Sequence, residues 1–434
     1  MSLALPIRRR ILLPGPWARE ALWKAAREVP SWHIAPVRTG NVRDLVTGAD
    51  LVTFTNSSPA WGFNSSGILV QPTANVPFIE YDPATGACLG WRVWDAVTNS
   101  IRNNTMVGAV AGTPGTLPTN WSTSLPAGLT RQVVGVGAVN GIEYIDIRFS
   151  GTPTITSNIQ IKPDGNAGAI AATASQSWAI SSWVAVVAGS TANLSSPRLA
   201  LNDYSAGPTY LRTAIYASNV LSAGSTFARV SGVNTTGAST TIVEPLFLFD
   251  VTSGLAVDIT IRIGLPQLQQ SATVGPVVKT SGLTASSTAD VASITGAAFA
   301  GIWNQAAGTI YAEATTSATG PPVFVPRATA STGDRIQFAF GSTGQSAVLV
   351  SSVIQAIFTP STASKRALAF AANDFALAYG STIETDTSGT VPTIEYATIG
   401  RFDFGGLQYL NGYIRELATI KSRRPNTNLQ AMTQ

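Results

Sequence analysis

The chain has 434 residues but one histidine, one cysteine and only 12% charged residues. Each scarcity excludes something. The single cysteine, Cys88, rules out an internal disulfide, and a lone thiol in a β protein fits assembly in a reducing cytoplasm. The single histidine, His33, lies beside Trp32 near the start of the chain, outside both β domains expected below. Ser-His-Asp and Cys-His chemistry need an imidazole beside the nucleophile, so neither is expected. One His and one Cys cannot make a zinc site of those ligands. There is no P-loop and no Gly-rich dinucleotide turn. No apolar run approaches the roughly 18 residues of a membrane span. The uncharged windows 103–130 and 165–197 are rich in Gly, Thr, Ser, Asn and Pro and read as β and turn. The start, MSLALPIRRRILLPGPW, places its positive charges after the apolar residues, the reverse of a signal peptide, and none is expected.

What is present points to β structure. The chain is 45% hydrophobic, with Gly, Ser, Thr, Ala and Val dominant, which is not a disordered composition. Its length predicts two or three domains. Residues 1–45 hold eight basic residues against three acidic ones, a net of +5; the whole chain nets +4, so the remainder nets −1. The basic balance therefore belongs to the N-terminal segment and is no sign of nucleic-acid binding.

Taken in order, residues 1–45 carry the one long helical pattern, Trp17 to Val29, with Trp17, Ala21, Ala25 and Val29 on one stripe, Pro16 at its start and Pro30 as its stop. Residues 46–100 read as a connector of short strands and turns. Residues 101–275 read as one antiparallel β domain. Ile145, Ile147 and Phe149 alternate with Asp146 and Arg148, and Val257, Ile259, Ile261 and Ile263 with Asp258, Thr260 and Arg262. Further strands are expected at 176–187, 209–216 and 226–232. Residues 276–434 read as a second β domain, with strands at 335–340, 367–371, 375–379 and 395–399. After a turn at Gly405–Gly406, Tyr413, Arg415 and Leu417 alternate with Ile414 and Glu416, Gly412 lets neighbouring strands approach closely, and a last helical turn follows.

Three stretches carry resemblances. Ile399-Gly400 followed by Gly412-Tyr413-Ile414-Arg415-Glu416-Leu417 resembles the closing strands of concanavalin-like (laminin-G-like) jelly rolls, and Gly308-Thr309-Ile310-Tyr311-Ala312-Glu313 resembles their opening. Ile263-Gly264-Leu265-Pro266-Gln267-Leu268 resembles the close of carbohydrate-binding-like jelly rolls, with Gln269 in place of the usual Glu. Tyr81-Asp82-Pro83-Ala84-Thr85-Gly86, with Ala96 and Thr98-Asn99, resembles a segment common in tailed-phage fibre and spike proteins; Phe78-Ile79-Glu80, Trp91 to Trp94 and Val97 depart from it. The resemblance spans roughly residues 50–434. It implies two tandem antiparallel jelly-roll sandwiches on the surface of a virion assembled in the host cytoplasm, a fibre, spike or decoration subunit of capsid or tail that displays its domains for attachment to a host-surface glycan.

The residues suggest how such a protein would work. Sugar binding needs exposed aromatic faces; in the first β domain Trp178, Trp183, Tyr204 and Tyr210 are the candidates, with Tyr216 also available. Trp178 and Trp183 are an odd distance apart, so one can face out while the other is buried. The basic N-terminus reads as a virion-docking segment, with Arg8, Arg9 and Arg10 meeting an acidic patch on another virion protein and Trp17, Trp23 and Trp32 as apolar anchors. On that reading, removal of residues 1–45 leaves both jelly rolls folded. No cofactor is expected apart from a structural calcium, through Asn202–Asp203 or Asp334. Low charge and polar uncharged surfaces suggest a homo-oligomer, a trimer above all. No nucleic-acid partner and no membrane insertion are expected. The rival is a jelly-roll polysaccharide depolymerase using a carboxylate pair. Glu143, Asp146, Asp374, Glu384 and Asp386 are its candidates, but such residues ordinarily serve on strand faces and turns, and no enzyme is expected.

Overall fold

The computed structural model describes residues 16–165, 170–329, 333–402 and 408–434. The chain is mostly β and its sheets are antiparallel. It divides into two compact units: Met1–Phe54 with Leu89–Val93 and Val291–Gln434, and Thr55–Cys88 with Trp94–Asp290. These boundaries differ from the expected ones. The first 54 residues belong with the C-terminal unit, and the 46–100 stretch contributes to both.

The inner unit (Thr55–Cys88, Trp94–Asp290) is a sandwich of two antiparallel sheets. One runs in the order Ala228–Thr235, Ser177–Gly189, Val257–Gln269, Ile142–Gly151, Leu129–Val139. The other runs Thr209–Ser218, Leu194–Ser205, Ile242–Val251, Ser157–Lys162, Ser122–Ser124, with Ile170–Ala171 also paired to Ile242–Val251. The alternating stretches seen in the sequence pair with each other, Ile145 opposite Ile263, Ile147 opposite Ile261 and Phe149 opposite Ile259. Their apolar faces meet Ile159, Ile161, Leu199, Leu201, Phe247 and Phe249 of the other sheet in one core. Each fully buried side chain of this size contributes about 1.5–3 kcal/mol.

The outer unit (Met1–Phe54, Leu89–Val93, Val291–Gln434) is a second sandwich. One of its sheets holds Thr382–Asp386, Phe375–Tyr379, Lys365–Ala371, Ala307–Thr316 and Gly412–Ile420, in that order. Gly412–Ile420 also pairs with Trp91–Val93 and, further along, with Trp32–Ile34. The opposing sheet runs Val291–Ile294, Tyr396–Ile399, Pro322–Arg327, Arg335–Ala339, Ala347–Val350, Val353–Ile357. Gly412 is required where it stands: a Cβ there would lie 2.0 Å from the Thr315 carbonyl oxygen. The turn expected at Gly405–Gly406 lies outside the described residues.

The expected helix spans Pro16–Ala26 and stops before Pro30, because Arg27 takes a left-handed φ of 52°. It does not stand apart from the β body. Leu22 and Ala26 pack with Leu429 and Met432 of a C-terminal helix, Asn426–Thr433, against Tyr311, Ala367, Ala369, Ala376, Ala378 and Ala418. The alanine-rich strand face lets both helices lie close to the sheet. A helix this short is marginal alone and gains its stability from such a surface. Among the described residues no helix is long and apolar enough to cross a membrane.

Candidate functional site

In Leu194–Ser205, Leu199 and Leu201 enter the core, so period-2 geometry sends Arg198, Ala200, Asn202 and Tyr204 to the opposite face. In Ile242–Val251 the same rule places Glu244, Leu246, Leu248 and Asp250 beside them. Ala200, Leu246 and Leu248 form a small buried apolar cluster in the middle of this face. At one end Arg198 holds Asp250 through two bonds of 2.8 and 3.0 Å.

At the other end lies a polar network built on Glu244, itself buried. Its Oε2 accepts from the Tyr204 hydroxyl at 2.9 Å and from Asn202 Nδ2 at 3.1 Å, and pairs with Lys162 Nζ at 3.0 Å. Thr213 Oγ1 donates to Asn202 Oδ1 at 2.7 Å. Burial first, and then the Glu244 charge, pushes the Tyr204 phenol up to about 12, so it stays a hydrogen-bond donor at neutral pH. Tyr210 stands over this network. Its ring meets Tyr204 edge-on, centroids 6.0 Å apart at 76°, and its hydroxyl lies 3.0 Å from Thr213 Oγ1. Tyr210 is 56% exposed. The arrangement is a fixed, half-exposed aromatic ring beside ordered amide, hydroxyl and carboxylate groups, which can stack on one sugar ring and bond its hydroxyls.

Of the four aromatic candidates, the fold brings Tyr204 and Tyr210 together and separates the two tryptophans from them. Trp178 enters the core. Trp183 faces the other way, but Phe63, Leu69, Ile142, Leu265 and Val277 bury it, and Arg229 lies 5.0 Å from its ring centroid. The odd spacing correctly put them on opposite faces, yet neither offers a free ring. Tyr216 is also core. Asn202 and Asp203, proposed together for calcium, point to opposite faces of their strand. Asp203 Oδ2 accepts from Arg212 Nε at 2.7 Å and from the Gly237 amide at 2.9 Å. Asp334 Oδ1 accepts from the Ser351 amide at 2.7 Å. Among the described residues no three His, Cys, Asp or Glu side chains cluster as metal ligands.

The sequence reading missed Glu244 and Lys162. A lone carboxylate inside Ile242-Val243-Glu244-Pro245-Leu246-Phe247-Leu248-Phe249 was the available signal.

No family model and no curated protein matches the chain. Solved structures similar to it include the following two. One is the CBM22-1 xylan-binding domain of Paenibacillus barcinonensis Xyn10C, at 12% identity over 42% of this chain and 99% of that chain, TM-score 0.26. The other is the N-terminal CBM22-1-CBM22-2 tandem domain of the same enzyme, at 8% identity over 74% of this chain and 99% of that chain, TM-score 0.25. Likenesses this distant do not bear on what the chain binds.

Of the residues expected to dock, Trp23 and Trp32 have other duties. Arg8, Arg9 and Arg10 lie outside the described residues, and Trp17 falls in the helix Pro16–Ala26. Trp32 is fully buried and stacks on Phe324, centroids 6.0 Å apart. Trp23 Nε1 donates to His33 Nδ1 at 3.1 Å. His33 is not outside the β domains as expected: its strand pairs with Gly412–Ile420, and it is fully buried. Since Nδ1 accepts, Nε2 donates to Glu416 Oε1 at 2.6 Å, which Arg38 also reaches at 2.6 Å. Burial alone would raise the Glu416 carboxyl, but His33 and Arg38 outweigh it and hold the group below the ordinary glutamate value.

The carboxylates proposed for catalysis each have a partner. Glu143 pairs with Lys279, Asp146 with Arg262 and Asp374 with Arg423. Glu384 accepts from the Tyr379 hydroxyl and the Thr359 amide, and Asp386 from Ser388. Glu143 and Asp146 are three residues apart in one strand and so face opposite sides.

Proposed function

We propose that the chain is a non-catalytic, glycan-binding structural subunit on the surface of a tailed phage or phage-like particle. The glycan-binding part rests above all on Tyr210, an exposed ring held against Tyr204 and ringed by the Asn202, Thr213, Glu244 and Lys162 network. The virion part rests on the fibre- and spike-like residues Tyr81 to Gly86. Partnered carboxylates support a binding role over polysaccharide cleavage. In this reading attachment to other virion proteins falls to Arg8, Arg9, Arg10 and Trp17, since Trp23 and Trp32 serve the fold. A homo-oligomer, a trimer above all, would turn weak single-site binding into firm adhesion. Val353, Ile354 and Ile357, exposed on an edge strand, are apolar surface that contact between copies would cover, and sedimentation of the full chain reads the copy number.

The test is Tyr210→Ala against a panel of immobilised bacterial surface glycans. We expect about tenfold weaker binding to whichever glycan the parent retains, at unchanged melting temperature. Unchanged binding, or no retention of the parent by any glycan of its host, overturns the reading.

A further inference from the structure

We infer that a cleft beside Arg131 binds the carboxylate of an acidic sugar, a hexuronate unit of an oligosaccharide. The cleft belongs to the inner unit and has a volume of about 480 Å³, within the range of small-ligand sites. Thr113, Pro114, Thr123, Leu125, Leu129, Thr130 and Arg131 line it. It lies where the edge strands of the two sheets meet, Leu129–Val139 of one and Ser122–Ser124 of the other. Tyr210 lies on the opposite edge strand of the second sheet, so this site is separate from the Tyr210 face and does not depend on it.

One wall is a loop tied down by backbone bonds. Gly112 and Val133 exchange amide-to-carbonyl bonds of 2.9 and 3.1 Å, and Val110 and Thr116 exchange bonds of 3.0 and 2.9 Å. Gly115 closes this loop with a φ of 71°; a Cβ there would lie 2.7 Å from the Val133 Cβ. The closure brings the Gly115 carbonyl to Arg131 Nη2, which donates to it at 3.0 Å, while Nη1 donates to Thr123 Oγ1 at 3.2 Å. Both partners are neutral, and each Nη carries a second hydrogen.

The surroundings make this cation unusual. Arg102, Arg148, Arg198, Arg212 and Arg262 of the same unit each pair with an aspartate. Arg131 has no carboxylate partner among the described residues, and burial holds its guanidinium below the ordinary arginine value. A half-buried charge without a counterion is costly, and a ligand carboxylate would supply one in the planar geometry arginine matches. Leu125, Leu129 and Pro114 offer apolar wall to the C–H face of a pyranose ring. Thr123 Oγ1 accepts from Arg131, so its own proton is free for a sugar hydroxyl. A phosphate brings more than one charge and would meet a single cation here; one carboxylate matches it.

The experiment is calorimetry of the full chain with trigalacturonate and with its carboxyl-reduced, neutral counterpart. The parent should prefer the acidic trisaccharide. Arg131→Met should bind it about tenfold or more weakly and leave neutral binding unchanged, with Arg131→Lys between the two. Leu125→Trp, which fills the cleft and leaves the charge in place, should also abolish acidic binding. Should Arg131→Met lose its melting transition, Arg131→Lys and Leu125→Trp decide. Tyr210→Ala separates the two sites: it should spare trigalacturonate, so either site can fail alone. Equal parental affinity for both trisaccharides, binding of neither, or parental affinity in Leu125→Trp overturns the inference.

Discussion

The two sandwiches partner their buried charges differently. In the inner unit the buried carboxylates Asp164, Asp203 and Glu244 hold Arg102, Arg212 and Lys162 of the same unit, while Arg148 and Asp258, diagonal neighbours on paired strands, are both well exposed. In the outer unit a buried carboxylate takes its partners from the first 45 residues, and a buried cation has no ion-pair partner among the described residues. Glu416 is buried with His33 and Arg38, and Arg366 is fully buried with one bond to the Ala339 carbonyl and its guanidinium 4.6 Å from the Phe340 ring centroid. Burial brings the Arg366 guanidinium down to about 10. Surface pairs contribute little and tolerate loss, whereas a buried charge is destabilising once its partner goes. The comparison teaches that the inner unit supplies these partners from within itself, whereas Glu416 of the outer one depends on contacts that the first 45 residues bring.

The strongest way to break the comparison is to delete residues 1–45. The sequence suggested that both sandwiches would survive; the burial of Trp32 and His33 predicts otherwise. Calorimetry should show the outer unit's transition lost and the inner unit's kept, and two retained transitions would refute it. Trp32→Ala is the next largest effect, about 3–5 kcal/mol for a large buried ring. It should lower only the outer transition, and an equal fall in both would show that the units do not melt separately. Glu416→Gln is smaller, about 1.5–3 kcal/mol for bonds to a charged group. Its pH signature follows from the lowered carboxyl. The stabilisation is complete above the ordinary value of 4.5 and is lost as pH falls through the lower folded value. The outer unit's melting temperature should therefore drop in acid below about pH 4.5, and the variant should flatten that drop. A variant with the parent's acid profile would show that other carboxylates govern it.

Alternation made much of the fold legible. The paired strands Ile142–Gly151 and Val257–Gln269 stand where period 2 put them, because along residues 145–149 and 257–263 apolar side chains alternate with polar ones. Ile242–Val251 escaped notice for the opposite reason: Leu246 and Leu248 are buried on its outer face, so no alternation survives. The division into units was illegible because it depends on partners far apart in sequence, Trp32 beside Thr419 and Trp91 beside Ile414. At the candidate site, aromatic type pointed to Tyr204 and Tyr210 but equally to Trp178 and Trp183. Only packing distinguishes a ring over solvent from a ring in the core.

The strand Trp32–Ile34 has a consequence for synthesis. Its partner, Leu417 to Thr419, leaves the ribosome almost four hundred residues later. Throughout that interval Trp32 and the apolar side of the first helix have no surface to cover them, while the inner sandwich, whose strands are complete by Gln269, can already close. The outer sandwich thus waits for the last strand, and a chain released early cannot finish it. Its exposed tryptophan and unpaired strand then mark it for chaperone or protease. Pairing strands so far apart in sequence makes synthesis of Gly412–Ile420 a condition of folding for the outer sandwich.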